Sequence, residues 1–207
     1  MYKKQLKVQK ILCLLAVVVA AILFLYALGI MTDLYDTLYA TLRISVTENA
    51  ETGGYALNVA ERSVAGAKVY TNMQQFNQVL VQYSIVYILL AVFLFVTNTN
   101  IRRRYYIGNY VAIGLFAAAS IYIPLFAHGY IEIFKAQWLN VDFAALQQYA
   151  ADYNSTYTES TLWFDLHYAV FALMILAAAL LVANAVWKIT LMKDEAKLVA
   201  EGKGVNA

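Results

Sequence analysis

The chain has 207 residues, of which 62% are hydrophobic and only 14% charged, with a formal net charge of +2. An ordinary soluble domain carries about 25% charged residues, so this composition excludes a typical water-soluble globule, and a single proline argues against a loop-rich or disordered chain. The lone cysteine, Cys13, rules out a disulfide within one chain; lying inside an apolar run, it reads as a small core side chain.

The apolar residues are gathered into four blocks. They predict an all-α integral membrane four-helix bundle whose helices extend into an outer-side helical domain. Residues 1–10 form a cytoplasmic N-terminus with Lys3, Lys4, Lys7 and Lys10, followed by a first transmembrane helix over 11–31. Positive residues before an apolar run also begin a secretory signal, and Ala27-Leu28-Gly29 weakly resembles a cleavage site. The run is long for a signal, however, and the stripe Leu34, Leu38, Leu42 and Val46 continues directly from it, so a retained anchor is expected.

An outer segment over 32–78 follows. Gly53-Gly54 marks a turn in it, and Ala60, Val64, Ala67, Met73, Phe76 and Leu80 then recur at helical steps into the second span, 79–96. A single helix over 55–96 would be roughly 60 Å long. Gly66 weakens that helix by about 1 kcal/mol and marks where it would break.

Residues 97–105 form a cytoplasmic turn, 106–127 the third span, 128–165 a second outer helical segment, 166–189 the fourth span and 190–207 a cytoplasmic tail. Pro124 is placed to kink the third span. Ile131, Phe134 and Trp138 extend its helix, and Asn140 and Asp142 offer caps for a short helix with Phe143, Leu146, Ala150 and Tyr153 on one face. Thr156 and Glu159 have the spacing of a capping box before the last helix. The alternative is that these amphipathic pieces lie flat at the lipid interface, where Trp138, Trp163 and the tyrosines also fit. Asn154-Ser155-Thr156 is a glycosylation sequon, a pattern short enough to arise by chance.

Charge sets the orientation. Lys3, Lys4, Lys7, Lys10, Arg102, Arg103, Arg104, Lys188, Lys193, Lys197 and Lys203 fall on one side, against Arg43, Arg62, Lys68 and Lys135 on the other. Basic residues beside spans stay on the cytoplasmic face, so both termini are expected inside a bacterial cell membrane. Arg102, Arg103 and Arg104 first mark a tight turn between antiparallel spans; they also suit contact with anionic lipid headgroups, worth about 1 kcal/mol each. Nucleic acid is not an expected partner, because the basic residues are spread over separate juxtamembrane positions.

Apart from Lys188, none of the four spans holds an Asp, Glu, Lys or Arg. Asn109 and Asn184 are read as helix-packing residues able to hydrogen-bond to each other, with Gln82, Ser84 and Ser120 in similar roles. Ala16 and Ala20, Gly114 and Ala118, and Ala179 and Ala183 are each four apart and would allow close helix approach.

One constellation carries chemistry. His128 ends the third span and His167 begins the fourth, with Glu132 one turn beyond the first and Asp165 two residues before the second. Two imidazoles and two carboxylates at similar depth suit a transition metal such as Zn²⁺, or a proton-responsive cluster; the competing reading is ordinary interfacial residues in an acidic segment. No dense metal motif, G-x-S-x-G elbow or glycine-rich phosphate loop is present, so a non-enzymatic protein without a cofactor is expected. The leading expectation is an accessory or scaffold subunit in contact with membrane lipids and with a protein partner or further copies of itself. The alternatives are a small oligomeric channel or transporter, and an outer-facing pH or metal-responsive sensor.

Overall fold

Each long apolar run becomes a helix in the computed structural model, which describes residues 2–30, 65–66, 68–99, 107–145 and 159–200. The helices are α1 (Tyr2–Gly29), α2 (Lys68–Asn98), α3 (Ile107–Trp138) and α4 (Leu162–Ala200). Among the described residues 93% are helical and none is in a strand, so the all-α expectation holds there. All four helices contain stretches long and apolar enough to cross a membrane: Lys4–Gly29, Gln75–Asn98, Ile107–Trp138 and Leu162–Asp194. The shortest has 24 residues, about 36 Å of helix against a hydrocarbon layer of about 30 Å. Arg102, Arg103, Arg104, the stripe from Leu34 to Val46, Gly53-Gly54, Leu146, Ala150, Tyr153 and the sequon lie outside the described residues.

The helix ends differ from the sequence expectation in instructive ways. Ala65 and Gly66 form a turn, and Gly66 has φ 82°, so a continuous helix over 55–96 is interrupted there and α2 starts at Lys68. That conformation is left-handed, which glycine adopts without a steric penalty. α3 runs through Pro124 and keeps Ile131, Phe134 and Trp138 buried, as their spacing predicts. Past it, Asp142 caps a single turn over 143–145 by accepting from the Ala145 amide at 2.9 Å, whereas the Asn140 side chain donates back to the Ala136 carbonyl. Glu159 precedes α4; the first helical amide, of Leu162, donates to Ser160 Oγ at 3.2 Å, and the Thr161 hydroxyl donates to Asp165 at 2.8 Å. Ser160 thus accepts the first helical amide, while the Thr156 end of the expected capping box lies outside the described residues.

The chain divides into two compact units, each drawing segments from all four helices. The first comprises Met1–Ile22, Ile85–Ile123 and Val170–Ala207. Its core includes Cys13, Ala16, Ala20, Leu94, Phe116, Met174 and Leu181, and the Tyr87 ring stacks on Phe116 at 4.7 Å. The Tyr87 hydroxyl is satisfied by Ser120 Oγ at 2.7 Å, in line with the packing role expected of Ser120. Only one of the small-residue pairs lines this core. Ala16 and Ala20 are fully buried, but Gly114, Ala118, Ala179 and Ala183 face outward, and a Cβ added at Gly114 would meet nothing within 4 Å. A four-residue spacing puts two residues on one helix face without saying which face is inward.

The second unit comprises Leu23–Ser84 and Pro124–Ala169. Phe76 lies 5.4 Å from Phe134 and 5.5 Å from Tyr130, joining α2 to α3 through aromatic rings. Trp138, almost fully buried, packs against Phe143 and Phe164 and so fastens the end of α3 to the start of α4. Gly29 at the end of α1 faces the Trp163 ring so closely that a Cβ there would overlap it. The turn before α2 docks on the turn after α3: the Asp142 amide donates to the Ala65 carbonyl at 3.0 Å, and the Gly66 backbone abuts Asn140 and Val141. Ser84 is buried with its hydroxyl on the Val81 carbonyl, whereas Gln82 is exposed.

In both units the outward positions are large and apolar, for example Ile11 and Leu89 in the first and Leu25 and Leu125 in the second. A soluble protein scatters such residues singly; here they recur on every helix.

Candidate functional site

Two polar clusters stand out, one in each unit. In the first unit Gln5, Gln9, Asn98, Asn109 and Asn184 are all buried. Gln5 Nε2 donates to Gln9 Oε1 at 2.9 Å and to Asn184 Oδ1 at 3.3 Å, linking α1 to α4. Gln9 Nε2 donates to the Asn98 carbonyl at 2.6 Å and to its side-chain oxygen at 3.2 Å, linking α1 to α2. Asn98 Nδ2 in turn reaches the Asn109 carbonyl on α3 at 3.2 Å. An unbroken chain of amides thus ties all four helices together. Asn109 and Asn184 both belong to it, and sequence reading missed that the connecting members come from Gln5, Gln9 and Asn98. Their position beside lysines at the N-terminus and beside the basic turn disguised them as surface polar residues. Lys188 is also buried here, its ammonium 5.5 Å from the centre of the Tyr110 ring.

The second cluster holds the ionisable groups singled out in the sequence. His128 and Glu132 are one helical turn apart on α3, so their side chains leave the same face. The first turns of α4 supply Asp165, His167 and Tyr168. His128 Nδ1 and His167 Nε2 are 2.9 Å apart, joined by a hydrogen bond. The other nitrogen of His167, Nδ1, bonds to the Phe164 carbonyl. A carbonyl only accepts, so His167 Nδ1 carries a proton, and in the neutral pair His167 Nε2 accepts from His128 Nδ1. Glu132 Oε1 lies 3.8 Å from His167 Nε2 and accepts from the Tyr168 hydroxyl at 2.7 Å. The Tyr168 ring also lies against His167, with centroids 4.0 Å apart.

Burial is graded across the cluster. The His167 side chain is 0% exposed and that of Glu132 37%, while His128 stands at the surface. One end of the site is therefore held by packing and the other lies at the surface of the helices. His128, Glu132 and His167 each offer a ligand atom, and all these atoms lie within 4.8 Å of one another. Asp165, the fourth candidate, is engaged elsewhere: its two oxygens take Lys135 Nζ at 2.5 Å and the Thr161 hydroxyl. The structure thus brings three of the four candidates together. Tyr168 joins them unannounced, one tyrosine among seventeen, although its place beside His167 was a usable signal.

The arrangement has two chemical capacities. Two imidazole nitrogens and a carboxylate oxygen converge as donors for a borderline metal ion. Alternatively, the pair is built to respond to protons: one proton already lies between the rings, and a further one on His167 Nε2 would set two N–H groups against each other. Compared with known proteins, the chain matches no family model, no curated protein and no solved structure.

Proposed function

We propose that the chain is a four-span protein of a cell membrane, with both termini in the cytoplasm, acting as a non-enzymatic accessory or scaffold subunit through its helices and outer segments. The observation that carries this reading is the inverted distribution of side chains. Large apolar residues such as Ile11, Leu25, Leu89 and Leu125 are turned outward on the membrane-length helices, and the amides of Gln5, Gln9, Asn98 and Asn184 are turned inward and bonded to one another. Lipid favours that arrangement, since an amide facing hydrocarbon would lose its partners. Orientation follows from the excess of Lys and Arg on the side of the termini. Purification in mild detergent tests the scaffold role: the chain is expected to isolate with a partner or as an oligomer, and isolation only as a lone monomer refutes it. Protease added to intact cells is expected to spare the tail beyond Ile189.

A second reading is favoured by the convergence of His128, Glu132 and His167. In it the centre at the adjoining ends of α3 and α4 faces outward and responds to a small cation arriving from outside the cell. The two readings are compatible, because a subunit that holds its partners through outer segments can change those contacts when such a centre fills.

A further inference from the structure

We propose that His128 Nδ1, His167 Nε2 and a carboxylate oxygen of Glu132 form a binding site for one divalent transition-metal ion, of which Zn²⁺ is the representative. The proposal deepens the outward-facing reading just given, on which it relies only for the side from which the ion arrives.

Three observations support it together. First, the spacing is close to what an ion requires. Tetrahedral zinc with bonds of about 2.0–2.1 Å sets neighbouring ligand atoms about 3.3 Å apart. The imidazole nitrogens are 2.9 Å apart and His167 Nε2 is 3.8 Å from Glu132 Oε1, so these two separations each change by about 0.5 Å, and the ligand atoms of all three residues lie within 4.8 Å of one another. Second, the supporting contacts are those a metal site uses. His167 Nδ1 is fixed on the Phe164 carbonyl, which points the Nε2 lone pair into the centre, and Glu132 is oriented by the Tyr168 hydroxyl. Third, the donor set discriminates. Calcium and magnesium favour all-oxygen shells, and copper(I) favours sulfur, whereas two imidazoles with one carboxylate suit zinc and its neighbours.

Occupation replaces the hydrogen bond between the rings with two metal–nitrogen bonds. His128 must then present a bare Nδ1, which it does by moving its proton to Nε2 on the exposed side of the ring. Three protein ligands leave a fourth position open to water or to a donor from another molecule. In the filled site coordination cross-links α3 and α4 in place of the bond between the two rings, beside the Tyr168–Glu132 hydrogen bond and the Lys135–Asp165 ion pair.

The test uses the full chain in mild detergent, stripped with a chelator and titrated with Zn²⁺ alone by calorimetry. One zinc per chain is expected, and Co²⁺ in its place should give the intense visible bands of tetrahedral coordination. His128→Ala and Glu132→Gln should each weaken binding by about a hundredfold or more, and Tyr168→Phe by about 10- to 100-fold. Asp165→Asn should leave affinity unchanged, since that carboxylate serves Lys135 and Thr161. His167 is buried, so the more accessible His128 and Glu132 carry the decision, with helical content of each variant measured alongside. No zinc uptake by the folded chain overturns the site, as does uptake that survives both His128→Ala and Glu132→Gln. An impermeant chelator added to intact cells then separates site from sidedness: zinc released at once supports both, and zinc released only after cell opening refutes the outward orientation while the site stands.

Discussion

Replacing Gly66 with alanine distinguishes a helical glycine from a left-handed one by the sign of the effect. Within a continuous helix, Gly66→Ala would stabilise the protein by about 1 kcal/mol. The structure reverses the sign. Gly66 has φ 82°, which costs an L-residue about 1–2 kcal/mol. The added Cβ would also stand 2.7 Å from the Asn140 carbonyl oxygen and 2.9 Å from Val141 Cα. Both obstacles are backbone, so no rotamer change relieves them, and the turn before α2 must lift from the turn after α3. Losing the 3.0 Å bond between Asp142 N and Ala65 O adds about 1 kcal/mol, for a total near 2–3 kcal/mol. Gly114→Ala is the internal control, since it lies inside α3 with open space at the Cβ position, and should stabilise by up to about 1 kcal/mol. Thermal or denaturant unfolding in detergent, followed by circular dichroism, reads both. If Gly66→Ala raises stability as Gly114→Ala does, the left-handed turn and its docking are wrong.

Two further substitutions test what holds each unit. Gln9→Leu removes the bonds from Gln9 to Asn98 and the bond from Gln5, three contacts in all; at about 0.6 kcal/mol each inside a membrane protein, the loss should be about 2 kcal/mol in unfolding from detergent. Unchanged stability would show that the amides are not what joins α1 to α2. Trp138→Ala empties a fully packed position between Phe143 and Phe164 and should cost about 3–5 kcal/mol, with protease sensitivity rising first in the segment between α3 and α4. Wild-type protease resistance would mean that Trp138 does not fasten those helix ends.

Much of the architecture is legible without coordinates because the signal is coarse. A long apolar block with almost no charge predicts a membrane-length helix whatever its neighbours do, so the described residues of the windows over 11–31, 79–96, 106–127 and 166–189 all lie in helices. The continuation through Ile131, Phe134 and Trp138 is legible too, since a 3.6-residue period survives as long as the helix does. Gly66 was visible as a weak point but not as a left-handed turn: φ is a property of the docked backbone. The pairs at Gly114 and Ala179 show the same limit, because spacing identifies a face and leaves its neighbour unspecified.

The candidate centre divides along the same line. By itself the sequence determined that His128 and Glu132 share a helix face and that His167 belongs to the adjoining end of another long helix, because those facts depend on periodicity and span length alone. Only tertiary structure decided that the two imidazoles meet at 2.9 Å, that Tyr168 orients Glu132, and that Asp165 turns away to Lys135. Helix rotation is set by the sum of many contacts, Trp138 on Phe164 among them, and a turn of about 100° per residue is enough to bring a side chain into a site or remove it.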